Sequence, residues 1–556
     1  MTTLETATST LIQHYDRAAT ADTSLLSDAS LISRSDLEAI AESNDPAMPQ
    51  ELREAARFLL GSEVARNYLD VAAGKGDVDG RISRDDLLAA AAEISAGEHY
   101  GHVLDTAAQD QSAWWNPFSG SGRDGEVSQA DVQAVLDDPG APQELKDTIA
   151  LLQLGGANDI AAAVGSLGPD GVVAAAALHE SPEFAALPEG DRALVAQAVA
   201  GSGDPAAVQD LQTLIHDPSF QAMTPAQQTA ALTEVAVQQS PEFQALSASD
   251  QRLVNDALAA RKPGDTDLPA AIMSLLESAD FQDDTDFSAA ERTALLSQVS
   301  NYPDTRVVEN LEAMLGKQWI RDFDLGDTQR AFKTVAFLAQ HDAGDQEIIS
   351  NTLDLFLGES APYRFDFSEN AAYGSVPFSP EDLFRINPRY IGADNNPVDT
   401  SAASAHSGEL RVIGHTFVHE VNHMQNWDRS LSLNSSYGFH EEYRAYHVGV
   451  KAQHGGEPSV ADVIDRVAVF VNPGPGYSHL ADLLAAGGSD AEDIAGYLNT
   501  ILGRDDITPD NAVDEVNALV DAKKDAEDAG EPLPPELTRP AGVTIGPPGT
   551  NNVTNG

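Results

Sequence analysis

The chain has 556 residues, with 88 acidic against 32 basic side chains, a formal net charge of −56 and no cysteine. So acidic a surface repels phosphate backbones, which argues against nucleic acid as a partner. Without cysteine there are no disulfides, no thiolate zinc site and no thiol nucleophile, so any metal must be held by His, Asp, Glu or carbonyl oxygen.

Hydrophobic residues make up 42% of the chain, enough to bury real cores. No window approaches eighteen apolar residues, so no membrane span is expected. The first ten residues, Met1 to Thr10, lack the basic and apolar regions of a secretory signal. The expectation is a cytoplasmic protein, or one exported without a signal peptide.

Residues 1–150 repeat a short phrase. Its copies are Asp28 to Leu37, Asp79 to Leu87 and Asp124 to Val132, each with a Ser three residues before an Asp. A longer unit recurs as Pro49 to Leu60 and Pro142 to Gln153. Such internal similarity predicts duplicated helix–loop–helix units. The loops resemble the second half of an EF-hand, which needs oxygen ligands at fixed positions around a Gly turn. With Gly80 at the turn, Asp77, Asp79 and Asp86 become candidate Ca²⁺ ligands, and Ile82 takes the apolar position that pairs neighbouring loops by a short β-bridge. Lys75 stands where the first ligand belongs, and Asp70 is a candidate substitute. The plainer reading is that Asp-Gly turns the chain and Ser with Asp caps the next helix.

Residues 151–345 are helical and repetitive. Ser181-Pro-Glu-Phe184 returns as Ser240-Pro-Glu-Phe243, with Asp217-Pro-Ser-Phe220 and Ser278-Ala-Asp-Phe281 interleaved. Ser or Asp followed by Pro reads as an N-cap and first helical residue, so each phrase opens a short amphipathic helix. An array of this kind serves as a scaffold or as a surface for a partner protein.

Residues 346–525 change character. Ala361–Phe367 and Asp382–Ile391 are rich in aromatic and β-branched residues and read as strands. A helix begins near Glu409. The tail, 526–556, is rich in Pro and Gly toward its end and is expected to be disordered.

Chemistry concentrates in His419-Glu420-Val421-Asn422-His423. On a helix, positions i and i+4 share a face, so both imidazoles reach one Zn²⁺ and Glu420 stands beside them to take a proton from water. Ile413, Phe417 and Val421 form the core-facing stripe such a helix needs. A second helix is predicted across Tyr437–His447.

The His-Glu-x-x-His segment, followed about twenty residues later by Glu442-Tyr-Arg-Ala445, resembles the gluzincin branch of the zincin metallopeptidases, the thermolysin-like group. The resemblance is specific over about 415–450 and loose over 360–500. It implies His419, His423 and Glu442 as zinc ligands and Glu420 as general base. Ala445 supplies the small residue three positions after Glu442, which favours Glu442 over Glu441 as third ligand; Glu441 remains the alternative. A His₂Glu set leaves one coordination position open, the catalytic arrangement.

Tyr446 stands where the family carries a supporting Asp, so Tyr446 or Asn426 has to orient an imidazole. Tyr477 and His479 are candidate donors to a transition-state oxyanion. His415, one turn before His419, is expected to line the site. The strand Asp382–Ile391 is expected to offer its edge to an extended peptide.

The expected fold is mostly α. An EF-hand-like segment (1–150) and a helical-repeat segment (151–345) precede an α+β zincin-like domain (346–525) and the tail. The expected function is zinc-dependent hydrolysis of a protein or peptide substrate. The alternative is a calcium-responsive helical interaction protein carrying a non-catalytic zincin-like domain.

Overall fold

Short polar residues start most of the helices, and the N-terminal phrase shows how. In the computed structural model, Ser33, Ser83 and Ser128 each cap the helix that follows: α1 (Arg34–Glu42), α2 (Arg84–Ala96) and α3 (Gln129–Asp137). The Asp three residues later reaches back to the cap amide, closing a capping box in all three copies. The structure describes residues 2–23, 29–74, 78–107, 127–283, 287–340, 346–369, 374–375, 383–388, 391–398, 413–426, 436–474, 477–541, 544–545 and 553–554. The described chain is mostly helical and divides into two compact units, Met1–Leu246 and Ser247–Gly556.

In the first unit, β1 (Ile32–Ser33) pairs antiparallel with β2 (Arg81–Ile82), matching Ile32 with Ile82. This is the bridge expected at Ile82, and both isoleucines are buried. Asp70 accepts the Gly80 amide at 2.7 Å and the Arg81 amide at 3.2 Å. Asp86 accepts the Ser83 and Ala73 amides. These carboxylate oxygens thus serve loop and cap N–H groups, the plainer reading of the phrase. Asp79 is exposed on the turn, and Asp77 lies outside the described residues.

Among the described residues one stretch, Ile160–His179, has by length and composition the apolar character to cross a membrane. It is two helices: Gly168 sits at φ 61°, ψ −175°, followed by Pro169, and breaks the run.

The short helices predicted after Ser181, Asp217, Ser240 and Ser278 all form, each capped by that side chain and each burying its Phe. The longer helices of the array repeat one hydrogen bond. In the first unit, α4 (Glu189–Ser202) carries Asp191, which accepts from Thr229 of α5 (Pro225–Gln239) at 2.8 Å. In the second, Asp250 of α6 (Ala248–Ala259) accepts from Thr293 of α7 (Ala289–Asn301) at 2.8 Å. Each carboxylate occupies the third position of its helix, where the macrodipole favours a negative charge.

The rest of the second unit builds the site. Helices α8 (Leu325–Ala339) and α9 (Gln346–Leu357) lead into a three-stranded sheet in the order β3-β5-β4. β3 (Arg364–Phe367) runs parallel to β5 (Leu383–Ile386), and β4 (Gly374–Ser375) antiparallel to it. The strand expected over 382–391 is therefore shorter, and it is central. β3 pairs with β5 along its whole length, and β4 covers its other side at Arg385 and Ile386, so over those two residues the edge expected for a peptide is already occupied.

Helices α10 (Ile413–Asn426) and α11 (Ser436–His454) pack side by side. Phe417 of α10 is buried between Phe356 of α9 and Phe384 of β5, with ring centroids 5.0 and 5.3 Å apart. Val421 is buried as well, so the apolar face of α10 is fixed and its His face is turned toward α11.

The remaining helices, α12 (Val460–Val471), α13 (Ser478–Ala486), α14 (Ser489–Leu502) and α15 (Ala512–Ala529), form a core with α11 through Phe439, Tyr443, Ile464, Phe470, Leu498 and Val516. The tail expectation fails up to residue 541. Helix α15 runs through 526, Leu537 and Ala541 are buried in this core, and the Ala541 amide bonds the Pro458 carbonyl.

Candidate metal centre

The i, i+4 spacing on α10 brings the two imidazoles to one point, with His419 Nε2 and His423 Nε2 3.2 Å apart. Helix α11 delivers Glu442, whose Oε2 lies 3.6 Å from each of those nitrogens. Among the described residues this is the one group of three such side chains whose ligand atoms converge. Atoms bound tetrahedrally to zinc at ~2.0–2.1 Å stand ~3.3–3.4 Å from one another. The three separations, 3.2, 3.6 and 3.6 Å, bracket that spacing, so the donor set fits zinc in kind and in size.

Glu441, the alternative ligand, points elsewhere. Its Oε1 lies 3.5 Å from the other ring nitrogen of His423, Nδ1. The same carboxylate is held by Arg444 Nη2 at 2.7–2.8 Å, and both side chains are almost wholly buried. Glu441 is thus placed to orient His423 while Glu442 faces the ligand point. Tyr446 does not perform that service. Its ring stands edge-on to His415, centroids 4.7 Å apart, and 6.4 Å from His419. Among the described residues His419 Nδ1 has no hydrogen-bond partner. His415 instead stacks on the His419 ring at 5.8 Å and 28°. The Asn426 side chain lies outside the described residues.

The titration of the cluster follows from its geometry. Burial pulls His423 down, but the Glu441 and Glu442 carboxylates outweigh it and raise the imidazole to about 10. Burial alone would push Glu442 up; hydrogen bonds from His419 and His423 and their charges hold it far below the ordinary carboxylate range. The two carboxylates thus favour the charged form of the His423 imidazole between them. His415 is pushed down to about 3 by burial, with the neighbouring His419 and Arg466 adding to it, so it stacks as a neutral ring.

Glu420, next to His419 on α10, is close enough that its charge helps raise both His423 and Tyr477. Tyr477 reaches the centre and bonds one member of the cluster: its hydroxyl donates to Glu442 Oε2 at 3.1 Å. His479 lies on the first turn of α13 and, among the described residues, makes no hydrogen bond or ion pair.

Three contributors were not anticipated. Arg466 donates to the Tyr477 hydroxyl at 2.9 Å and stands over the rings of Tyr446, Phe470 and Tyr477 at 5.0–5.4 Å. The signal was available, since Asp465 and Arg466 interrupt the apolar run Val463–Val471. The Glu441–Arg444 pair was legible only as two charges three residues apart. Gly449 is the third. A Cβ there would stand 2.8 Å from the His415 carbonyl oxygen, so this glycine lets α10 and α11 approach.

Comparison with protein-family models, curated proteins and solved structures finds no match to this chain.

Proposed function

We propose that the chain is a zinc-dependent peptidase of zincin type. The observation that carries the reading is the convergence of His419 Nε2, His423 Nε2 and Glu442 Oε2 within 3.2–3.6 Å, with Glu420 beside them. A zinc ion held by this set supplies Lewis-acid polarisation of a carbonyl and activation of water. Glu420 takes the proton of the attacking water as its oxygen bonds to the carbonyl carbon. It returns that proton to the amide nitrogen as the C–N bond breaks, so the leaving group departs as an amine. The Glu441–Arg444 pair keeps the His423 ring in orientation throughout.

Strand β4 is at the edge of the described sheet and lies against α10. Its position supports pairing with an extended peptide by backbone hydrogen bonds, the role the sequence had assigned to β5.

Glu420→Gln tests the reading. It keeps the shape of the side chain and removes its basicity. Zinc should remain at one equivalent while hydrolysis of a fluorogenic peptide library falls by about 10²–10⁴-fold. Undiminished hydrolysis in that variant would remove Glu420 from the mechanism.

A further inference from the structure

The sequence offered Tyr477 as an oxyanion donor. Its hydrogen bonds point to a different task, and the argument rests on the zinc reading above. A guanidinium has donors and no acceptor, so in the 2.9 Å contact between Arg466 Nη2 and the Tyr477 hydroxyl the phenol oxygen must accept. The phenol proton is then left to donate. It meets Glu442 Oε2 at 3.1 Å, and an ionised carboxylate can only accept. The direction of both bonds is fixed, and the chain runs one way: Arg466 to Tyr477 to Glu442.

The oxygen that receives this bond is the same Oε2 that faces His419 and His423. Tyr477 therefore acts on the ligand that comes from the other helix. The two histidines share α10 and are aligned by its backbone. Glu442 arrives on α11 with three rotatable torsions of its own, so its carboxylate is the member of the set that most needs orienting.

The anchor of the relay is itself fixed. Arg466 lies over three aromatic rings, with its carbon 5.4 Å from the Tyr446 centroid, 5.1 Å from Phe470 and 5.0 Å from Tyr477. Among the described residues its one hydrogen bond goes to the Tyr477 hydroxyl. Phe470 packs edge-on against Tyr477, centroids 4.9 Å apart, and holds the phenol ring from the side.

We propose that Tyr477, held by Arg466, is a positioning residue that orients Glu442 for zinc. Outer hydrogen bonds of this kind are worth about 10–100-fold in metal affinity.

The test is zinc affinity of the full chain, measured by competition with a chromogenic chelator. Tyr477→Phe removes one hydroxyl and keeps the ring packing. It should weaken zinc binding by about 10–100-fold, while near-ultraviolet circular dichroism stays as in the parent. Arg466→Met should weaken it less, because the phenol remains. The double variant should be no worse than Tyr477→Phe alone, since Arg466 acts through the phenol. Additive losses in the double variant would overturn the relay. If Tyr477→Phe lowered kcat and left zinc affinity unchanged, Tyr477 would be an oxyanion donor and this inference would fall while the peptidase reading stood. A parent chain with no measurable zinc affinity would sink both.

Discussion

Gly449→Ala gives a prediction whose sign is decided by one contact. In the middle of a helix, Ala is normally better than Gly by about 1 kcal/mol. Gly449 lies inside α11, outside the positive-φ region, so nothing local opposes the change. The added Cβ, however, would stand 2.8 Å from the His415 carbonyl oxygen and 2.8 Å from His415 Cδ2. The ring could turn aside, but the carbonyl belongs to the α10 backbone one turn before His419. Relief therefore requires α10 and α11 to move apart. Overpacking of this kind costs about 1–3 kcal/mol, toward the upper end where the obstacle is backbone. Set against the propensity gain, the net change is a loss of about 1–2 kcal/mol. The same separation pulls Glu442 away from the two histidines, so zinc affinity should fall with stability. Urea unfolding followed by circular dichroism measures the first effect and chelator competition the second. A variant more stable than the parent, with zinc affinity intact, would refute the claim that this glycine sets the distance between the helices.

Arg444→Met leaves the Glu441 carboxylate buried without its counter-charge. Removing one partner of such a pair costs about 3–5 kcal/mol, which should appear as an early loss of the second unit in denaturant titration. Zinc affinity should also rise with pH. The folded His423 has its pKa raised, so in the metal-free protein its stabilising contribution is complete below about pH 6.5 and is lost as pH climbs through the raised value. Glu442 has its pKa lowered, so its contribution is present above about pH 4.3 and lost on acidification. Between these limits zinc has to displace the His423 proton, and affinity should increase about tenfold per pH unit from 6 to 8 in chelator competition. A flat profile would mean that the cluster binds no proton in competition with the metal.

Local chemistry was legible in the sequence wherever one helix carries it. Ser83 and Asp86 announced a cap by their spacing. His419 and His423 announced a shared face with Glu420 beside it, and Phe417 with Val421 its buried back. Contacts between elements were not legible in the same way. The residues of β5 showed that a strand exists, but period-two patterning says nothing about which neighbours flank it. Its central place depends on pairing with β3 and β4, set by tertiary structure. Gly449 could not be distinguished from a merely tolerated glycine until the facing helix was known. The sequence offered Tyr477 as an oxyanion donor, but only its two hydrogen-bond partners reveal which way its proton points. The tail misled by composition: Pro and Gly are frequent after residue 530, yet Leu537 and Ala541 are buried in the core.

The loop at 391–398, ahead of α10, is strapped to the helical array. Arg330 bonds the Ile391 carbonyl, Lys333 pairs with Asp394 at 2.6 Å, Asn301 bonds the Asn395 carbonyl, and the Val398 amide bonds the Tyr302 hydroxyl. A fragment cut at 346, where the amino-acid pattern changes, would carry this loop without any of those four anchors. The smallest piece that keeps them all reaches back at least to Asn301. The helices from Asn301 on thus share one compact unit with the candidate centre, and a cut at 346, where the sequence changes character, would run through that unit.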